Sequence, residues 1–187
     1  MNPVTLALEA LHQRYRNLWQ QDRDSLPQAR FQRPWPSPCI NATQQQSDEV
    51  LYTWEAQPRS APIAFYDLEK ALEVTFHSDI KAFYGSFWAD SIPIEHPVVD
   101  ALLLQVWNDE DQQRLFENLL GHAFARLKGR LPLTLFIACT HGDDMVCIDN
   151  ESGQVVLEKP GYPAHKVIAE SLESWLLQCQ PCFDNYA

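Results

Sequence analysis

Glycine is scarce in this chain of 187 residues: there are six, at Gly85, Gly121, Gly129, Gly142, Gly153 and Gly161, and none are clustered. Phosphate-cradling loops need several glycines together so that the backbone can approach the ligand. The dinucleotide fingerprint and the P-loop are therefore both missing. Gly85-Ser86-Phe87 lacks the second glycine of a nucleophile elbow. Basic residues are also few, 14 against 25 acids for a net charge of −11. Nucleic-acid binding is excluded on that ground, because neutralising phosphates takes a surplus of Lys and Arg. Long apolar runs are absent as well. The best, Leu131 to Cys139, is interrupted by Pro132 and Thr134 and falls well short of the roughly 18 residues of a membrane span. Met1-Asn2-Pro3 is not a basic start and Glu9 breaks the first apolar stretch, so no secretory leader is expected. The five cysteines are then expected as free thiols of a cytosolic protein.

What is present is enough apolar material for one core, 45% of residues, at a length that suits a single domain spanning 1–187. The charge is unevenly spread. Residues 34–120 hold four basic residues against fourteen acids, a net of −10, whereas 121–130 hold three basic residues and no acid. Such asymmetry marks either a solvated face or a surface with a preference for partners of opposite sign.

Prolines divide the chain into elements. Val4, Leu8, Leu11, Tyr15 and Leu18 make one helical stripe that starts behind Pro3 and runs to about Arg23. A proline-rich connection follows, which Phe31 and Trp35 are expected to pack down. Val50 to Trp54 is β-rich. Tyr66 to about Trp88 is helical with a break near His77-Ser78-Asp79. Ile92 to His96 and Asp100 to Trp107 are predicted strands, the second buried on both faces around Leu102-Leu103-Leu104. Asp109, with Gln112 three residues on, predicts a capped helix whose inner face is Phe116, Leu119, Leu120, Ala123 and Leu127. Leu133 to Cys139 is a strand, and Met145 to Ile148 with Gln154 to Leu157 flank a turn at Asn150-Glu151-Ser152-Gly153. Ile168, Leu172, Trp175 and Cys179 predict a last helix that stops at Pro181. Helices and strands mix without βαβ alternation. The expected class is α+β: a single mixed β-sheet of about five or six strands with four or so helices packed on it.

Reactive chemistry is thin. Cys179-Gln180-Pro181-Cys182 follows a helix C-terminus, the wrong electrostatic end for an activated thiol. It would hold zinc only if Cys139, His141 and Cys147 supplied further ligands. Core or surface thiols are the favoured reading. His141-Gly142-Asp143-Asp144 reads as a polar loop and His122 as a helix-packing histidine. No catalytic residue, cofactor or metal site is assigned, and an enzyme is disfavoured, with a thiol- or zinc-dependent enzyme as the weakest alternative.

Three stretches together carry a resemblance. They are Pro36-Ser37-Pro38-Cys39-Ile40, then Phe83-Tyr84-Gly85-Ser86-Phe87-Trp88-Ala89-Asp90, and a long block from Leu104-Gln105-Val106-Trp107 through Glu117-Asn118-Leu119-Leu120-Gly121-His122 to Arg130-Leu131-Pro132-Leu133-Thr134-Leu135-Phe136-Ile137-Ala138. The chain resembles the Syd family of SecY-interacting proteins. The resemblance implies a non-enzymatic cytoplasmic protein, peripheral on the cytoplasmic face of the inner membrane, that binds cytoplasmic regions of the translocon subunit SecY through an acidic concavity. It also implies a part in recognising incorrectly assembled or excess SecY, and kinship with immunity proteins that inhibit toxin nucleases, which is the main alternative function.

Charge agrees with a SecY partner, since cytoplasmic loops of membrane proteins carry excess Lys and Arg. An acidic chain is repelled by the anionic leaflet, so membrane association is expected to be indirect, through protein. The candidate acids are Glu69 and Glu73, four apart on one predicted helix face, with Asp79, Asp90 and Asp100. Exposed ion pairs are worth only about 0–1 kcal/mol each, which calls for an apolar anchor. Tyr84 and Trp88, with Phe87, are the candidates, the alternative being ordinary core aromatics. Asp109 to Asp111 are expected to serve as capping groups.

Overall fold

The first helix begins where Asn2 accepts a hydrogen bond from the Val4 amide through its side chain (2.8 Å), with Pro3 at the first helical position. In the computed structural model, which describes residues 2–30, 35–40, 50–61 and 63–183, this helix, α1, spans Pro3–Arg23 and ends at Asp24 in the left-handed conformation. Val4, Leu8, Leu11 and Tyr15 of the expected stripe are buried. Phe31 of the proline-rich connection lies outside the described residues.

The remaining elements are β1 (Gln28–Arg30), β2 (Leu51–Thr53), β3 (Gln57–Pro58), α2 (Tyr66–Leu72), α3 (Ser78–Gly85), β4 (Phe87–Trp88), β5 (Ile92–Glu95), β6 (Ala101–Leu103), α4 (Asp109–Lys128), β7 (Thr134–Thr140), β8 (Met145–Asp149), β9 (Val155–Glu158), β10 (Lys166–Ala169), α5 (Leu172–Gln178) and β11 (Gln180–Pro181). Seven strands form one sheet in the order β10-β9-β8-β7-β6-β5-β11, and each neighbouring pair is antiparallel. The class is α+β. The sheet has more strands than the five or six expected, it is antiparallel throughout and not mixed, and five helices accompany it among the described residues. Two short ribbons, β1-β2 and β3-β4, stand apart from it.

The extra strands explain the differences. Ile168 belongs to β10, not to the last helix, which starts at Leu172 behind the Ser171 cap. β11 is two residues long and exists only by pairing with β5. The predicted strand from Asp100 shrinks to Ala101–Leu103, with Leu103 fully buried and its two leucine neighbours half-buried. The break in the 66–88 helix is real but earlier: α2 ends at Leu72, with Glu73 left-handed behind it, and the His77 ring caps α3 by accepting from the Asp79 amide (3.2 Å).

Capping of α4 is shifted by one residue. Asn108 is the cap, accepting from the Asp111 amide (2.8 Å), while the Asp111 carboxylate accepts from the Trp107 amide (2.9 Å). Gln112 instead accepts from Arg59 (2.9 Å). Leu119 and Ala123 face inward as expected, but Leu127 is exposed and Arg126 takes the inner position. The cause lies on the sheet beneath, where Glu158 is buried and requires a cation. Asn150 in the β8–β9 turn accepts from the His77 amide and donates to the Thr75 carbonyl (both 2.9 Å), tying the hairpin tip to the α2–α3 link.

Candidate partner-binding hollow

Where α4 begins, three segments meet: the α4 first turn, the chain following β4, and the stretch around β1 and Trp35. Between them lies a hollow of about 520 Å³ lined by Trp35, Asp90, Gln105, Trp107, Asp111 and Arg114, among others. The geometry follows from local sequence. Ala89 donates its amide to the Val106 carbonyl (3.0 Å), which sets Asp90 beside the end of the β6 segment. The Asn108 side-chain amide donates to the Pro36 carbonyl and Ser37 to the Trp107 carbonyl (2.8 and 2.7 Å), so Pro36-Ser37-Pro38 is stitched to the start of α4. Arg114, a turn further on, lies 4.0 Å from the centroid of the Trp35 ring, a cation–π contact that holds the tryptophan as one wall.

The chemistry of the hollow centres on Asp90. Its carboxylate accepts from the adjacent Ser91 amide (2.8 Å). Burial pushes its carboxyl above the usual range and the nearby Asp111 adds to this, with the Ser91 amide opposing. A carboxylate held in that state is a receptor for a cation, since an arriving ammonium or guanidinium offsets both causes. A smaller neighbouring depression of about 310 Å³, lined by Pro36 to Pro38 and Asn108, carries the exposed Asp109 and Glu110. Four carboxylates thus surround the N-terminus of α4, with Arg30 and Arg114 on the far wall.

Of the sequence-predicted residues, only Asp90 lies in this hollow. Glu69 accepts from the Phe76 amide (2.7 Å) and pairs with Lys81 (2.6 Å). Burial works against its ionised form, yet Lys81 and the Phe76 amide hold its carboxyl below the usual range. Glu73 is exposed at the C-cap of α2, in the left-handed conformation, its amide donating back to the Glu69 and Lys70 carbonyls, and it lines a shallow depression together with Glu69. Asp79 sits in the first turn of α3 near His77. Asp100 is exposed in the β5–β6 turn and accepts from the His96 amide (3.2 Å). Tyr84 is buried and donates to the Phe136 carbonyl (2.8 Å), and Phe87 is buried too. Trp88 is half-buried beneath the Arg59 guanidinium, 3.3 Å from the ring centroid. Asp111, Trp35 and Arg114 were not singled out from the sequence. Asp111 does cap α4, as its run predicted, but capping turns the same side chain toward the hollow.

The Syd protein (SUKH-2) family matches residues 5–181. The chain belongs to the Syd family. It is 39% identical over 150 residues to protein Syd of Hahella chejuensis, covering 80% of this chain and 77% of that one. It is 36% identical over 179 residues to protein Syd of Pectobacterium atrosepticum, with 95% and 96% covered. Protein Syd of Cronobacter sakazakii is 35% identical over 181 residues, 96% of this chain and 98% of its own. The Syd match runs beyond Ala138 into α5 and β11, past the stretches that carried the resemblance. Among the described residues, no helix of this Syd chain is long and apolar enough to cross a membrane.

The cysteines hold no shared site with the Cys179–Cys182 pair. Cys182 donates its amide to the Pro93 carbonyl (3.0 Å) at the β5–β11 edge, four strand positions from Cys147 on β8. Cys179 is fully buried and burial pushes its thiol up to about 12, with Arg14 opposing. No disulfide joins any of the five cysteines.

Proposed function

We propose that this chain is a non-enzymatic binding protein that docks on basic cytoplasmic segments of SecY through the hollow at the start of α4, held at the cytoplasmic face of the inner membrane by protein contacts. The reading rests on Syd-family membership together with one observation: the half-buried Asp90, whose carboxyl is pushed up by desolvation and by Asp111, in a hollow walled by Trp35 and Trp107. A lysine or arginine from a partner loop entering there exchanges its hydration for Asp90, Asp111 and an aromatic wall. Desolvated charge-assisted contacts of that kind are stronger than exposed ion pairs. Asp109 and Glu110 at the rim steer basic loops toward the hollow, while Glu73, Asp79 and Asp100 add to the long-range field. In the cell, such binding would serve to recognise SecY whose loops are left accessible by faulty or excess assembly.

The test is pulldown and flotation with SecY-containing vesicles and with protein-free anionic liposomes. Binding is expected only to the former, and Asp90→Asn, which keeps the Ser91 hydrogen bond but removes the charge, is expected to weaken it at least tenfold at unchanged melting temperature. Equal binding by Asp90→Asn would remove the hollow from the interface. Binding to the protein-free liposomes would overturn indirect attachment.

A further inference from the structure

On the face of the sheet that α4 covers, three side chains with metal-ligand chemistry converge. Cys147 stands on β8 opposite Val156 of β9, and Glu158 lies two residues beyond Val156, so both point to the same face. His122 comes down from α4. The ligand atoms of His122, Cys147 and Glu158 all lie within 4.8 Å of one another. His122 Nε2 is 3.5 Å from Glu158 Oε1, close to the roughly 3.3 Å edge of a tetrahedron whose metal–ligand bonds are about 2.0 Å.

The carboxylate is treated asymmetrically by its surroundings. Oε2 accepts from the Thr134 hydroxyl (2.8 Å) and faces the Arg126 guanidinium (3.3 Å). Oε1 is fully buried and meets no backbone or hydroxyl donor; it faces the Cys147 thiol, with which the carboxylate shares a hydrogen bond, and the His122 imidazole. A simple buried Arg–Glu pair gives no reason to turn the second oxygen toward a thiol and an imidazole. Fixing one oxygen by outer hydrogen bonds and presenting the other is what outer groups do for a metal-binding carboxylate. Arg126 is anchored independently, donating to the Pro132 and Tyr162 carbonyls (2.9 and 2.6 Å). The His122 side chain keeps 11% of its surface exposed, which gives an ion a way in.

We infer that His122, Cys147 and Glu158 form a binding site for a single zinc-class divalent ion, with a water as fourth ligand. A thiolate, an imidazole and one carboxylate oxygen suit a borderline-soft tetrahedral ion and not calcium or magnesium, which take oxygen alone. On binding, the Cys147 S–H bond breaks, its proton passes to solvent and the sulfur pair forms the metal–sulfur bond. Two anionic ligands then balance the ion. Nothing in this inference depends on the partner proposed above.

The experiment uses the full chain, tag-free and stripped with a chelator, titrated with cobalt(II) chloride and then with zinc chloride. The expected result is a thiolate-to-cobalt charge-transfer band with tetrahedral visible absorption, saturating at one equivalent and displaced by zinc. Cys139→Ser, altering an exposed thiol on β7, should keep the band. Cys147→Ser should abolish it, and Glu158→Gln should weaken binding at least tenfold. If circular dichroism shows that Cys147→Ser fails to fold, X-ray absorption at the zinc edge of the loaded wild-type protein decides: one sulfur in the shell upholds the site and a shell of nitrogen and oxygen alone overturns it. No charge-transfer band at saturating cobalt, or one that survives in a folded Cys147→Ser, also overturns it.

Discussion

At the scale of single residues, Tyr84 is buried and its hydroxyl ties α3 to the sheet. Tyr84→Phe leaves the Phe136 carbonyl without its hydroxyl donor and should cost about 1–2 kcal/mol in urea denaturation, with binding to SecY vesicles unchanged. His12 is another buried polar group. Its ring meets Phe87 edge-on (5.0 Å between centroids), and burial lowers it to about 4 from an ordinary 6.5, with a Gln105 contact opposing. The unfolded chain takes up this proton near pH 6.5 and the folded one only near 4, so the stability is full above pH 6.5 and falls as pH drops toward 4. The loss is on the order of 3 kcal/mol. Melting temperature against pH should therefore decline across that window in wild type and decline less in His12→Gln. Gly153 has φ +77°, and a Cβ there would stand 2.7 Å from the His77 ring. Gly153→Ala is expected to lose about 1–3 kcal/mol through backbone strain and displacement of the α3 cap.

At the scale of elements, the first turn of α4 is both a capping device and part of the lining of the hollow. Asn108 accepts from the Asp111 amide and donates to the Pro36 carbonyl. Asn108→Ala should then cost about 2 kcal/mol, the upper end for a cap, and hydrogen exchange should show the loss in the first turn of α4. Asn108→Asp should restore the cap but not the Pro36 tie. The legibility of the sequence follows the same division. The α1 stripe and the β8–β9 hairpin are local patterns with local causes, and both were readable. β10 was not, because Lys166 and Val167 are exposed and the other two residues are half-buried, leaving no alternation to see. β11 was not, because two residues become a strand only through β5, some 85 positions earlier. Reading Leu127 as inner on α4 failed because periodicity assumes an apolar floor, and Glu158 makes this one polar and draws Arg126 inward. The candidate site suffered likewise. The spacing of Glu69 and Glu73 suggested a shared face, and the two do line one depression, but Glu73 is the left-handed C-cap of α2 and Glu69 is turned to Lys81 and the Phe76 amide, which spacing alone does not show. Asp90 was legible from its place after the aromatic motif, whereas the lining by Trp35 and Arg114 depends on contacts across the chain.

At the scale of the whole molecule, net charge sets how a partner arrives. With −11 overall, association with basic loops should be fast at low salt and slow steeply as salt rises, while dissociation changes little. Stopped-flow or surface-based kinetics across a salt series would measure this, and Asp109→Asn with Glu110→Gln together should flatten the dependence of the association rate. One feature of the architecture reaches further. The apolar stripe of α1 packs against α5, and Arg14 donates to the Leu176 and Cys179 carbonyls (3.2 and 3.1 Å). α1 therefore takes part of its cover from a helix far later in the chain. During synthesis the side that faces α5 has no cover from it until Leu172–Gln178 has left the ribosome, although α3 packs elsewhere on α1 sooner. A chain cut short before Leu172 would keep that side open to chaperones and proteases.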